Sequence, residues 1–189
     1  MEAARTIFVC ALIVFVAAVT ANDDYQIEGP IEYVKAEKVT HLQFYLHDIL
    51  SGPNPTAVRV AQSNRTTDDK SPTPFGSVYA IDDHLRVGPE PNSTIIGNAQ
   101  GLYLVSSQDP SKFTIVMYAD FELTTGKFNG SSISVFSRNP VYMKQRDLAI
   151  VGGRGQFRMA RGFVLVQTSY FNGTNGDAIL QYTATIHHY

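Results

Sequence analysis

Two side chains sit where their neighbours predict something apolar. From Thr40 to Asp48 the sequence alternates as a β-strand does, with Leu42, Phe44, Leu46 and Asp48 on one face and His41, Gln43, Tyr45 and His47 on the other. Asp48 therefore continues an apolar stripe that should face a core or a cavity. Burying an ionised carboxylate costs several kcal/mol unless it is paired or neutral, and chains often accept that cost for chemistry. The alternative is an aspartate at the strand end that points into water. Arg146 repeats the pattern, sharing a face with Leu148 and Ile150. Its alternative is a strand-start arginine bound to a loop carbonyl.

If these two faces meet in one interior, separation decides the chemistry. At about 4 Å and an effective dielectric near 20, the attraction is about 4 kcal/mol and would hold Asp48 ionised. Across a cavity that attraction roughly halves, desolvation dominates, and Asp48 becomes a neutral acid able to give up a proton. Tyr103 could add a phenol to the same hollow, or pack as an ordinary barrel side chain. Other chemistry is poorly supported. Gly152-Gly153-Arg154-Gly155 opens no helix, so it is expected to be a turn or bulge rather than a phosphate cradle. The five histidines are scattered and no metal site is expected. No serine sits in a nucleophile-elbow context. No cofactor is expected, neither flavin, haem nor copper, and the chain is not expected to carry out oxidation by itself.

The elements that must position these residues are strands. Nine segments carry strand signals, at 39–49, 56–62, 76–82, 95–107, 112–123, 130–136, 146–151, 162–171 and 178–188, separated by Gly/Pro/Asn turns. Ile115, Met117, Ala119 and Phe121 share a face, as do Leu180, Tyr182, Ala184 and Ile186. No window has a helical stripe. The expected fold is all-β: about eight antiparallel strands with hairpin spacing, in a sandwich or, favoured by the long strands, a closed barrel. An eight-stranded barrel is just wide enough to hold one small ligand.

The first residues have a separate purpose. A weakly basic start, an apolar run from Ile7 to Val19 and the small residues Val19-Thr20-Ala21 read as a signal peptide over 1–21. An extended arm over 22–38 and a barrel domain over 39–189 follow. The chain has 1 Cys, Cys10, inside that leader, so the mature protein is expected to lack disulfides, thiol ligands and thiol nucleophiles. Asn64, Asn92, Asn129 and Asn172 each open a glycosylation sequon in turn-like sequence, as suits a secreted glycoprotein. Net charge is -2, unchanged once Glu2 and Arg5 are removed, and no basic run appears. Nucleic acid and membrane are therefore poor candidates for partners.

At these residues the sequence resembles the dirigent proteins, a secreted plant family. The matching stretches are Leu46-His47-Asp48-Ile49-Leu50, Phe75-Gly76, Ala99-Gln100-Gly101-Leu102-Tyr103, Phe128-Asn129-Gly130-Ser131 and the run from Gly152 to Gly162. Their order and spacing cover nearly everything from about 40 to 189. The resemblance implies an eight-stranded antiparallel barrel of the dirigent and allene oxide cyclase type. It also implies a homo-oligomer, a trimer in preference to a dimer, working in the extracellular space or apoplast. It implies an auxiliary without oxidative activity. A separate laccase or peroxidase makes phenoxy radicals from phenols such as coniferyl alcohol, and the dirigent pocket orients two of them so that one lignan stereoisomer results. Asp48, Tyr103 and Arg146 match pocket positions of the family, and Phe171 matches a wall aromatic.

One departure bears on activity. Pinoresinol-forming members carry a second pocket aspartate where Asn139 stands in Phe136-Ser137-Arg138-Asn139-Pro140. An amide can donate and accept hydrogen bonds but cannot transfer a proton. In this the chain is similar to the subgroup with the pterocarpan synthases, which close an isoflavanol through a quinone methide with loss of water, and with members that have defence roles. Stereoselective radical coupling is thus the first expectation. A pterocarpan-type dehydratase and a passive carrier of a phenolic or lipid are the alternatives.

Overall fold

The computed structural model describes residues 36–62 and 73–189. The expected signal peptide, nearly all of the expected arm and the Asn64 sequon lie outside the described residues. Lys38, assigned to the arm, opens the first strand instead.

Nine strands appear among the described residues: β1 (Lys38–Asp48), β2 (Ala57–Ala61), β3 (Val78–Arg86), β4 (Ile95–Val105), β5 (Ile115–Leu123), β6 (Ser131–Asn139), β7 (Gln145–Arg154), β8 (Arg161–Phe171) and β9 (Ala178–His188). Only three short 3-10 turns interrupt them, at 110–112, 126–128 and 155–157. The sheet runs β1-β9-β8-β7-β6-β5-β4-β3-β2, all antiparallel, and β1 also pairs with β3. That last pairing closes the barrel. Tyr45, Leu46 and His47 face Arg86, Leu85 and His84 on β3, while Ala57, Val58 and Arg59 face Ile81, Ala80 and Tyr79 further along the same edge. Nine strands therefore make eight staves, one of them broken between residues 48 and 57.

The break is stapled. Asp177, in the turn before β9, accepts from the Leu50 and Ser51 amides at 2.9 and 3.0 Å and from the Ser51 hydroxyl at 2.6 Å. Thr56 and Ala57 donate their amides to the Ile49 carbonyl. The expected turn or bulge at Gly152 is a bulge: Ser134 faces Gly152 and Val135 faces Ile150, leaving Val151 as the extra residue.

Alternation puts the apolar faces inside. Phe44, Phe121 and Tyr182 meet at centroid distances of 5.2–5.7 Å and fill the middle of the barrel. Burying each ring is worth roughly 1.5–3 kcal/mol. Phe157 and His188 pack edge to face at one end. The other end, where β1, β6 and β8 finish and β5, β7 and β9 start, is hollow.

Candidate functional site

The hollow is a cavity of about 540 Å³, within the usual range for small-molecule sites. Asp48, Tyr103, Asn139, Arg146 and Phe171 all line it. The five residues come from five strands and over 120 positions of sequence, so barrel closure alone brings them together. Apolar walls come from Phe113, Ile115, Val141, Ala178 and Leu180. Tyr142 and Met143 are half exposed at the rim, as is Phe171.

Asp48 ends β1 opposite Ala178. Its Oδ1 is shut off from solvent and has no hydrogen-bond partner among the described residues. Burial, and then the nearby Asp177 carboxylate, push its pKa up to about 7. Asp177 itself is held below its ordinary value: burial opposes this, but the Ser51 hydroxyl, the Leu50 and Ser51 amides and Asn175 outweigh it. The staple of the broken stave thus also supplies a fixed negative charge beside Asp48.

Arg146 is 2% exposed. Its Nε donates to Asn139 Oδ1 at 3.2 Å, and its Nη1 donates to Thr168 Oγ1 at 2.7 Å and to the Met143 carbonyl at 3.4 Å. Arg146 thus meets a loop carbonyl and also lines the cavity. Nη2 is buried without a partner among the described residues. Burial lowers the arginine's proton affinity, partly offset by Tyr182; a guanidinium still stays charged in proteins. Asp48 and Arg146 form no ion pair. Of the two arrangements open from sequence, the structure has the one with the groups apart, and Asp48 tends to neutrality.

Tyr103 stacks on Tyr79 with centroids 4.9 Å apart. Burial first, then the charges of Asp48, Tyr79 and Asp83, keep its phenol protonated well beyond the ordinary range. Asn139 is buried, its Nδ2 directed at Met117 Sδ (3.7 Å). Its amide replaces a would-be carboxylate partner for Arg146 with a neutral acceptor. The cavity is therefore lined by one carboxylic acid, one buried guanidinium and the exposed Lys144 ammonium. No cluster of His, Cys, Asp and Glu able to hold a metal occurs among the described residues. Asn92 and Asn129 are exposed in turns, and Asn172 is partly so, its Oδ1 capping the Thr174 amide at 2.9 Å.

Sequence reasoning missed Thr168, the Met143 carbonyl and Asp83. The first two depend on cross-strand register and leave no local signal. Asp83 did leave one: Tyr79, Ile81, Asp83 and Leu85 alternate just as Leu42 to Asp48 do, and all four are buried. The expected strand stopped at residue 82, so the pattern was cut short.

Comparison with known proteins follows the same geometry. The family model described as "Dirigent-like protein" matches residues 39–187. Dirigent protein 15 of Arabidopsis thaliana is 61% identical over 155 residues, covering 81% of this chain and 82% of that protein. Pterocarpan synthase 1 of Glycine max is 41% identical over 189 residues, covering 99% and 100%. Among solved structures, the pterocarpan synthase dirigent protein GePTS1 superposes with a TM-score of 0.81 at 41% identity, covering 87% of this chain and 99% of that one.

Proposed function

The chain belongs to the dirigent family, and on that footing we propose that its cavity binds a small phenolic in one orientation and that Asp48 protonates it. The observation that carries this is the buried Asp48 carboxyl, unpaired with any described cation and with its pKa pushed up to about 7, at the wall of a largely apolar cavity. A carboxylic acid with a pKa near working pH suits general acid catalysis. Arg146 offers its free Nη2 to an oxygen that gains negative charge.

The finer reaction is a ring closure of the pterocarpan type. Asp48 gives its proton to a benzylic hydroxyl, the carbon–oxygen bond breaks, and water leaves. A neighbouring phenol oxygen attacks the resulting quinone-methide carbon and a new carbon–oxygen bond forms. The phenol's proton returns to Asp48. One water is lost, and no oxidant is needed. Asn139 favours this route over lignan formation with two acids, because only one carboxyl lines the cavity. The likeness to pterocarpan synthases supports it as well.

The test is incubation with an isoflavanol bearing a neighbouring phenol, without oxidant, followed by mass spectrometry and chiral chromatography. Loss of one water to a single enantiomer is expected; recovery of unchanged substrate would remove the proposal. Stereoselective coupling of phenoxy radicals is the second reading, favoured by a cavity of about 540 Å³ with largely apolar walls and several polar groups to orient bound rings. Coniferyl alcohol with a laccase or peroxidase would then give optically active lignan, and racemic product would discard it.

A further inference from the structure

Asp48 is not the only acid at its end of the barrel. The β1–β3 ladder pairs Tyr45 with Arg86, Leu46 with Leu85 and His47 with His84. Continued by one residue, that register sets Asp48 opposite Asp83. Directly opposed residues on neighbouring strands have Cβ atoms roughly 5 Å apart on the same face, and here the face is the interior. Asp83 is 1% exposed. It is not among the residues that line the cavity.

The surroundings give these two carboxyls unequal support. Asp83 Oδ1 accepts a 2.6 Å hydrogen bond from the Thr56 hydroxyl, which itself accepts from the Ile49 amide at 3.1 Å. Asp83 Oδ2 and Asp48 Oδ1 are buried, and neither has a hydrogen-bond partner among the described residues. No described cation forms an ion pair with either. Two ionised carboxylates side by side in such a site repel strongly, and the relief is for one to keep its proton.

We propose that Asp48 and Asp83 act as one carboxyl pair that shares a single proton, with Asp48 the catalytic residue at the cavity wall and Asp83 a positioning residue opposite it. This rests on the assignment of Asp48 as the acid. Thr56 eases charge on Asp83, and the shared proton is available at Asp48, the one carboxyl of the two that lines the cavity and that a substrate can reach. Transfer to a leaving hydroxyl leaves two negative charges in contact, which drives recovery of the proton released at ring closure. The pair ends each cycle as it began. It also accounts for the broken stave, since the chain leaves β1 directly after Asp48 and returns with Thr56 against Asp83.

Other groups face the pair. Asp177 from the turn before β9 and Asp82 from β3 add negative charge, and Tyr79, Tyr103 and Tyr182 from β3, β4 and β9 are neutral phenols. Arg146 on β7 lines the same cavity without pairing with either acid, Arg59 on β2 engages Tyr79, and His47 and His84 stand on the outer face of the two ladder strands. Burial and the charge on Asp48 raise Asp83's proton affinity well above the ordinary carboxylate range.

The experiment is a carbon-13 NMR titration of the aspartate carboxyls in the unliganded protein, in wild type, D83N and D48N. In wild type, both resonances should move in each of two separated steps. In D83N, Asp48 should titrate in one step, its midpoint lowered by at least about one pH unit. D48N should do the same to Asp83. An Asp48 midpoint unmoved by D83N, or wild-type resonances that each follow a single step of their own, would overturn the pair. If D83N does not fold, the wild-type curves alone decide. No substrate enters this titration, so its result is separate from that of the isoflavanol assay.

Discussion

At the residue scale, the chemistry depends on one proton. Asp48 must be protonated to act, and its pKa lies near 7, so activity should be flat on the acid side and fall as pH rises through about 7. D48N should lower ring closure by about 10²–10⁴-fold while leaving ligand binding in place, as read by product rate and calorimetry. Stability follows the same proton with a definite sign. The folded state binds it more tightly than the unfolded chain does. The stabilisation is therefore complete below the ordinary carboxylate range and is lost as pH rises to about 7. D48N, neutral throughout, should melt above wild type at pH 8 by the equivalent of a few kcal/mol, and show little difference at pH 4. Arg146→Met keeps the bulk and removes the charge; it should leave the fold assembled but erode the enantiomeric excess of the product.

At the element scale, the strands are held in register by close backbone approach, and this reaches the site. A Cβ on Gly101 would lie 2.0 Å from the Tyr118 carbonyl oxygen across the β4–β5 ladder. The backbone cannot yield there without shifting Tyr103 two residues on. Gly101→Ala should destabilise the protein by roughly 2–4 kcal/mol, a loss measurable by thermal or denaturant unfolding. The elements were largely legible in the sequence, because alternation is strict where one face is buried. β9 matches its expected span, and β1 differs from it by one residue at each end. Polar interruptions hid the remainder. β3 was expected to end at residue 82, four residues short of Arg86, and the second carboxyl went with the missing part. Gly152-Gly153 likewise masked the last third of β7. Asp48 and Arg146 were visible because each broke an apolar stripe. The contacts of Arg146 with Thr168 and Met143 were not, since they join residues that only the folded register makes neighbours.

At the scale of the whole molecule, the outside of the barrel is uneven. Val58, Leu102, Tyr118 and Phe136 are 40–56% exposed. With Ala80 they form one continuous cross-strand row over β2 to β6. Monomeric proteins rarely leave contiguous apolar patches of this kind uncovered, and a homo-oligomer that buries the row is the expected arrangement. Phe136→Asp should reduce the mass seen by light scattering to that of the monomer, with the barrel's circular dichroism unchanged. A wild-type protein already monomeric at micromolar concentration would remove this expectation.

The seam where β1 meets β3 has only three paired positions, at Tyr45, Leu46 and His47, and it lies immediately beside the two acids. Charging those acids pushes apart the very edges that the seam joins. Breathing of the barrel and loss of the working proton should therefore rise together. Amide exchange at Tyr45 and His47, corrected for its intrinsic pH dependence, should quicken above neutrality while exchange in the β8–β9 ladder does not. Alkali would then loosen this vessel along one line, like a cask whose shortest joint runs past its tap.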